Sequence, residues 1–129
     1  MRPDAVRFDA ADLVKTIEQL SRYHLDNLPF GVILIDREGT IMFYSQTESK
    51  KSGYGKIPIG QNLFAISPCM ASNDFRGRIK EAMEKGTVDL EFGWSGDFDD
   101  PDRDLRLRVL SSSDNNGLWI FIERDAAAK

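Results

Sequence analysis

The sequence has little of what metal, redox or nucleophilic chemistry needs. Its 129 residues include one cysteine and one histidine, which excludes an internal disulfide framework, a cysteine-based zinc site and any motif built on two histidines. No apolar run approaches the roughly 20 residues that span a bilayer, and the first residues lack the apolar core of a signal peptide. Acidic residues outnumber basic ones by 21 to 17, for a net charge of −4, which disfavours nucleic-acid binding. We therefore expect a soluble, cytoplasmic protein with one core.

Residues 1–28 are predicted to form an N-terminal helical cap. Asp9 can cap a helix, and Leu13, Ile17 and Leu20 follow at helical spacing as one apolar stripe. Because a single stripe buries little surface, we expect this cap to pack lightly and to be the part of the fold that is released most easily.

Residues 29–125 are predicted to form the core domain, and 126–129 a disordered tail. Between the second and third predicted strands, residues 45–73 are rich in glycine and proline, which favours short helices and loops around a pocket. The order of elements predicts an α+β fold, with a five-stranded antiparallel sheet and helices on one side. Apolar alternation and β-branched runs place the five strands at 32–35, 40–44, 88–94, 105–109 and 118–122, each of the last three with one buried face.

Several motifs occur in the order expected of a PAS sensory domain. The chain resembles one PAS family in particular, the photoactive yellow proteins, over about residues 26 to 124. The most specific part is the spacing of Tyr44, Glu48, Ser52 and Cys69. The motifs that carry the resemblance are Leu28-Pro29-Phe30-Gly31, Ser52-Gly53, Gly60-Gln61-Asn62-Leu63-Phe64, Pro68-Cys69, Asp74-Phe75-Arg76-Gly77 and Trp119-Ile120-Phe121.

The resemblance implies a blue-light photoreceptor with p-coumaric acid (4-hydroxycinnamic acid) bound covalently to Cys69 as a thioester. Tyr44 and Glu48 would bind the phenolic oxygen of this chromophore, and Ser52 would hold the Tyr44 hydroxyl in place. A free phenol titrates near 10, so an ionised one in an apolar pocket needs hydrogen-bond donors. Glu48 is a donor only when protonated, and burial would favour that form by raising its pKa.

Two further positions belong to the predicted site. Tyr54 stands where the best-known member of the family has an arginine over the chromophore ring, and Lys56 is close enough in sequence to substitute for that arginine. Phe64 ends the Gly-x-Asn-x-Phe motif.

The implied mechanism is a trans–cis photoisomerisation, after which Glu48 transfers its proton to the phenolate. The resulting buried charge would partly unfold the N-terminal cap and so signal to an unknown downstream protein. We expect no nucleic-acid or membrane partner, and a monomer or weak homodimer.

Each of these residues also has an ordinary structural interpretation. A lone cysteine is usually a small buried hydrophobe, and a glutamate on a loop is usually solvated. A PAS module that binds another ligand, or acts in interactions without a covalent chromophore, therefore remains the alternative. Enzyme activity is not expected, because a cysteine hydrolase needs an imidazole base and His24, in the cap, is the only candidate. The acidic residues between 97 and 102 lack the glycine and terminal glutamate of a calcium loop, so no metal site is expected.

Overall fold

An antiparallel sheet of five strands is the frame of the fold in the computed structural model, which describes residues 6–66, 73–95 and 102–124. The strand order is β2-β1-β5-β4-β3, and every neighbouring pair is antiparallel. This confirms the predicted fold class. The strands are β1 (Gly31–Asp36), β2 (Ile41–Tyr44), β3 (Asp89–Ser95), β4 (Asp104–Ser111) and β5 (Gly117–Arg124).

Two groups of helices pack against this sheet. The cap contributes two short helices on one face, and the segment between β2 and β3 contributes three on the other. The predicted short helices and loops of residues 45–66 are thus confirmed, whereas residues 67–72 lie outside the described part of the chain. The helices are α1 (Leu13–Ile17), α2 (Arg22–Asp26), α3 (Gln46–Lys51), α4 (Leu63–Ile66) and α5 (Asn73–Lys85). Among the described residues, no helix is both long enough and apolar enough to cross a membrane.

The central strand β5 is buried on both faces. Ile120 and Ile122 belong to the apolar cluster beneath α3–α5, whereas Trp119 and Phe121 belong to the cluster beneath the cap. The prediction that this strand buries only one face is therefore wrong. Trp119 and Phe121 are apolar because the cap covers them, and both are less than one-tenth exposed.

The cap is anchored more firmly than one apolar stripe predicts. Its first helix begins at Leu13, with Asp12 rather than Asp9 at the N-cap position, so the prediction that Asp9 caps this helix is wrong. Asp9 instead accepts a hydrogen bond from Arg106 at 2.8 Å. Before the helix, Phe8 is buried and packs edge-on against Phe30, with ring centroids 5.8 Å apart.

Arg108 ties the start of the cap to the sheet, because its Nη1 donates to the carbonyl oxygens of Phe8 (2.6 Å) and Ala10 (2.9 Å). We expect Arg108→Met to lower the free energy of unfolding by about 1.5–3 kcal/mol, the range for hydrogen bonds to a charged group. Amide hydrogen exchange of residues 6–28 should accelerate with it. The matched control is Arg37→Met, which removes an exposed hydrogen bond from an arginine to the Asn115 carbonyl. That change should stay within about 0.5 kcal/mol, and equal losses in both variants would contradict the anchor.

Candidate functional site

The site begins where β2 gives way to α3. Ser45 ends the strand and caps the helix, because its hydroxyl oxygen accepts a hydrogen bond from the Glu48 amide at 3.1 Å. The same oxygen accepts the Val32 amide of β1, also at 3.1 Å. This fixes the first turn of α3 against the sheet. Glu48 therefore lies in a helix, and the ordinary interpretation of it as a solvated loop glutamate does not apply.

Three polar side chains meet at this point inside an otherwise apolar cluster. Tyr44 and Glu48 are each 3% exposed, and Ser52 is fully buried. Glu48 and Ser52 are four residues apart along α3 and its C-cap, so both turn toward the same side. The spacing noted in the sequence thus brings these three residues together.

Tyr44 is held as a neutral hydrogen-bond donor. Burial, followed by the neighbouring charge of Glu48, raises the pKa of Tyr44 well above its usual value, although a hydrogen bond with Ser52 and the charge of Arg124 oppose the shift. The hydroxyl therefore stays protonated at neutral pH. Ser52 makes the contact with Tyr44 that the resemblance implied, and its hydroxyl oxygen also accepts the Tyr54 amide at 3.1 Å.

Glu48 forms a two-pronged ion pair with Arg124, the last residue of β5. Arg124 Nη1 donates to Glu48 Oε1 at 2.8 Å and Nη2 donates to Oε2 at 2.9 Å. The Arg124 side chain is only 8% exposed and the Glu48 side chain only 5%. This fork-to-fork geometry is that of an ionised carboxylate.

Sequence reasoning missed Arg124, although a signal for it was present. In a strand, alternate residues share a face, and Arg124 is in phase with Ile120 and Ile122, which face α3–α5. A charged residue in phase with an inward apolar face needs a buried partner, and Glu48 is that partner.

Gly31 makes room for the Glu48 carboxylate at the start of β1. A Cβ atom on Gly31 would overlap Glu48 Oε1 and would also lie 2.9 Å from Cδ and 3.2 Å from Cβ of Glu48. Only glycine therefore lets the backbone of β1 approach this carboxylate so closely.

Tyr54 and Phe64, the remaining described residues of the predicted site, are half-buried against the same apolar cluster. The Tyr54 ring lies 6.4 Å from that of Tyr44, centroid to centroid, and Lys56 Nζ lies 5.9 Å from the Tyr54 ring. Phe64 instead contacts Phe75 of α5, at 6.5 Å.

Cys69, the predicted attachment point, lies outside the described residues, as does the acidic stretch 97–101. His24 lies on α2 in the cap, with its ring 5.8 Å from that of Tyr23. Within the described ranges, no cluster of three or more histidine, cysteine, aspartate or glutamate side chains is arranged to hold a metal ion.

Comparison with known proteins identifies the family. No family model matches the chain. The photoactive yellow protein of Halochromatium salexigens is 28% identical over 121 residues, which cover 92% of this chain and 97% of that protein. That of Rhodothalassium salexigens is 26% identical over 123 residues, or 94% and 98% of the two chains. The crystal structure of the photoactive yellow protein domain from the sensor histidine kinase Ppr of Rhodospirillum centenum superposes with a TM-score of 0.71 and 31% identity, over 84% of this chain and 96% of that domain. The chain belongs to the photoactive yellow protein family.

Membership of the photoactive yellow protein family makes this chain a PAS-domain photoreceptor rather than an enzyme, as predicted. The structure adds how the polar part of the site is built within that fold. A tyrosine at a strand end, a helix capped by serine and an arginine at the end of the central strand converge on one buried carboxylate.

Proposed function

We propose that this chain is a blue-light receptor in which p-coumaric acid is bound as a thioester to Cys69. The observation that carries the proposal is the burial of Tyr44, Glu48 and Ser52 together within an apolar cluster. A phenol titrates near 10, and burial in an apolar site would raise its pKa further. Donors aimed at the phenolic oxygen are therefore required to keep it ionised. The Tyr44 hydroxyl would be one such donor, and Glu48 would be a second when its carboxyl group is protonated.

The residues present fit such a ligand. The Tyr44 hydroxyl stays protonated and would donate to the phenolic oxygen, while Ser52 holds that hydroxyl in position. Glu48 would be the second donor, in its protonated form. Tyr54 and Phe64 border the same apolar cluster and would contribute to the walls of the site.

The bound group supplies the absorption of blue light and a trans–cis isomerisation of its double bond. After that event, Glu48 would give up its carboxyl proton to the phenolate oxygen and be left as a carboxylate on a residue that is only 3% exposed. The proton transfer changes both the charge of Glu48 and its pairing with Arg124. Rearrangements of buried charge cost several kcal/mol, and a domain of this size is stable by about 5–15 kcal/mol in total. The charge is therefore large enough to open part of the fold.

The N-terminal cap is the part that we expect to open. Its described residues, 6–28, are joined to the rest of the fold by an apolar face and by side-chain hydrogen bonds such as those of Arg108, and none of them pairs with a strand of the sheet. Its release would expose Trp119 and Phe121 to a downstream signalling protein, which we propose as the partner. The related Ppr domain is itself part of a sensor histidine kinase.

Intact-protein mass measured after incubation with an activated p-coumaroyl thioester tests this function. In the reaction, the Cys69 thiolate attacks the acyl carbon, the new thioester forms and the donor thiol leaves. We expect the mass to rise by one acyl group, with a yellow colour that blue light bleaches, and we expect no adduct on Cys69→Ala. An unchanged mass of the parent chain would instead favour a PAS module without a covalent chromophore, and an equal adduct on Cys69→Ala would rule out the proposed attachment.

A further inference from the structure

Glu48 has a second partner that its role as a proton donor does not use. Both of its carboxylate oxygens accept hydrogen bonds from Arg124, at 2.8 and 2.9 Å, and the side chains of both residues are more than nine-tenths buried. The chain alone therefore contains a complete, solvent-shielded counter-ion for an ionised Glu48.

The two arrangements of Glu48 exclude one another. A carboxyl group that donates its proton to a ligand is neutral, whereas the fork-to-fork contact with Arg124 uses both oxygens as acceptors and requires the ionised form. Glu48 thus has one arrangement for each of its protonation states. From this, and resting on the proposed function, we infer that Arg124 is a positioning residue that takes up the Glu48 carboxylate once Glu48 has given up its proton.

Arg124 changes how the negative charge on Glu48 affects the fold. Without a counter-ion, the new charge on Glu48 would destabilise the core around this side chain. With Arg124 present, the guanidinium group compensates this charge. What changes is then the ion pair that Arg124, at the end of β5, makes with Glu48. The cost of the buried carboxylate is partly offset by a pair of good geometry, so deprotonation costs less at this site than it would without Arg124.

The end of β5 is also connected to the cap. Glu123, next to Arg124, points to the opposite face and accepts a hydrogen bond from Arg106 at 3.0 Å. Arg106 in turn donates to Asp9 of the cap at 2.8 Å. Because Glu123 and Arg124 are adjacent in β5, the buried pair with Glu48 and the exposed pair of Arg106 with Asp9 of the cap lie on opposite faces of the same strand end.

The first test uses the chain without chromophore and measures unfolding of Glu48→Gln, Arg124→Met and the double variant. Each single change leaves one buried group without its partner, so each should raise the equilibrium constant of unfolding by roughly a hundredfold or more. The double variant should be destabilised at least tenfold less than the product of the two. The exposed pair Glu81–Lys85, at 3.0 Å, is the control, and its coupling should be about twofold. Coupling of Glu48 with Arg124 as small as in this control would overturn the inference.

The second test follows the carboxylic-acid carbonyl stretch of Glu48 by infrared spectroscopy, assigned by its loss in Glu48→Gln. We expect no such band in the chain without chromophore, a band in the loaded chain in the dark, and its loss on illumination. In loaded Arg124→Met, the light-induced loss should fall by at least tenfold, because the ionised form of Glu48 would lack the guanidinium group that offsets the cost of its burial. Arg124→Lys should be intermediate, since lysine carries the charge but lacks the planar fork.

Equal loss of the band in the parent chain and in Arg124→Met would overturn the role of Arg124 and leave the proposed function intact. Absence of any acyl adduct on the parent chain would overturn the proposed function and this role with it. The two failures are therefore distinguishable. Arg124→Lys keeps the test decisive if Arg124→Met does not fold.

Discussion

Replacement of Glu48 by glutamine is expected to remove most of the light-driven release of the cap. Glutamine fills nearly the same space but has no proton to transfer and forms no carboxylate, so no new charge develops in the core. The absorption band should also shift to longer wavelength, because a carboxamide donates a weaker hydrogen bond than a carboxylic acid and holds the negative charge less firmly on the phenolic oxygen.

The measurement is amide hydrogen exchange of residues 6–28 in the loaded chain, compared between light and dark. The parent chain should lose protection in the light, whereas Glu48→Gln should retain nearly all of it. Glu81→Gln, an exposed position on α5 with an ion pair to Lys85, is the matched control and should respond like the parent. If Glu48→Gln releases these residues as fully as the parent does, proton transfer from Glu48 is not the trigger.

Glu48→Gln also has a cost in the dark that must be separated from the light response. Arg124 is 8% exposed in its side chain and loses a charged partner in this variant, which destabilises the fold. The light and dark measurements should therefore be made at a temperature where the variant is fully folded. The difference between light and dark, rather than the absolute protection, reports on the trigger.

Gly31→Ala is expected to lower the free energy of unfolding by about 2–4 kcal/mol, combining the cost of overpacking with partial loss of a buried ion pair. The added methyl group would occupy the space of the Glu48 carboxylate and approach Cδ and Cβ of the same side chain. Glu48 is held on the other side by Arg124, so the carboxylate has little freedom to move away. Chemical denaturation of the chain without chromophore measures the effect.

Gly93→Ala is the matched control for Gly31→Ala, because Gly93 also lies within a strand and a Cβ there would meet no described atom within 4 Å. We expect that change to be neutral or slightly stabilising, since alanine is less flexible than glycine in the unfolded chain. Similar destabilisation of both variants would show that glycine is needed at position 31 for the strand backbone rather than to make room for the Glu48 carboxylate.

Local patterns predicted the elements of the sheet well. The alternation in 105–109 and the β-branched run in 32–35 lie inside β4 and β1 as observed, because period-two burial is a property of neighbouring residues alone. In helix α5, Phe75 and Ile79 are four residues apart and are therefore buried on one face. The start of α1 was not predicted, since Asp9 contacts Arg106 of a distant strand and the helix begins at Leu13, four residues after Asp9.

Sequence alone determined the candidates for chemistry in this protein. The resemblance pointed to Cys69 as the position for a covalent ligand, and the spacing of Tyr44, Glu48 and Ser52 placed three polar groups between the end of one strand and the end of the helix that follows it. Those are short-range facts, which residue identity and helical geometry are sufficient to establish.

Tertiary structure decided what those groups contact. Arg124 is 76 residues from Glu48 in the chain, and only the pairing of β5 beside β1 brings it to the carboxylate. Glycine is required at position 31 only because α3 packs across the start of β1. Strand β5 is buried on both faces only because the cap packs over the sheet. Such long-range contacts depend on how elements pack together, so no local pattern in the sequence specifies them.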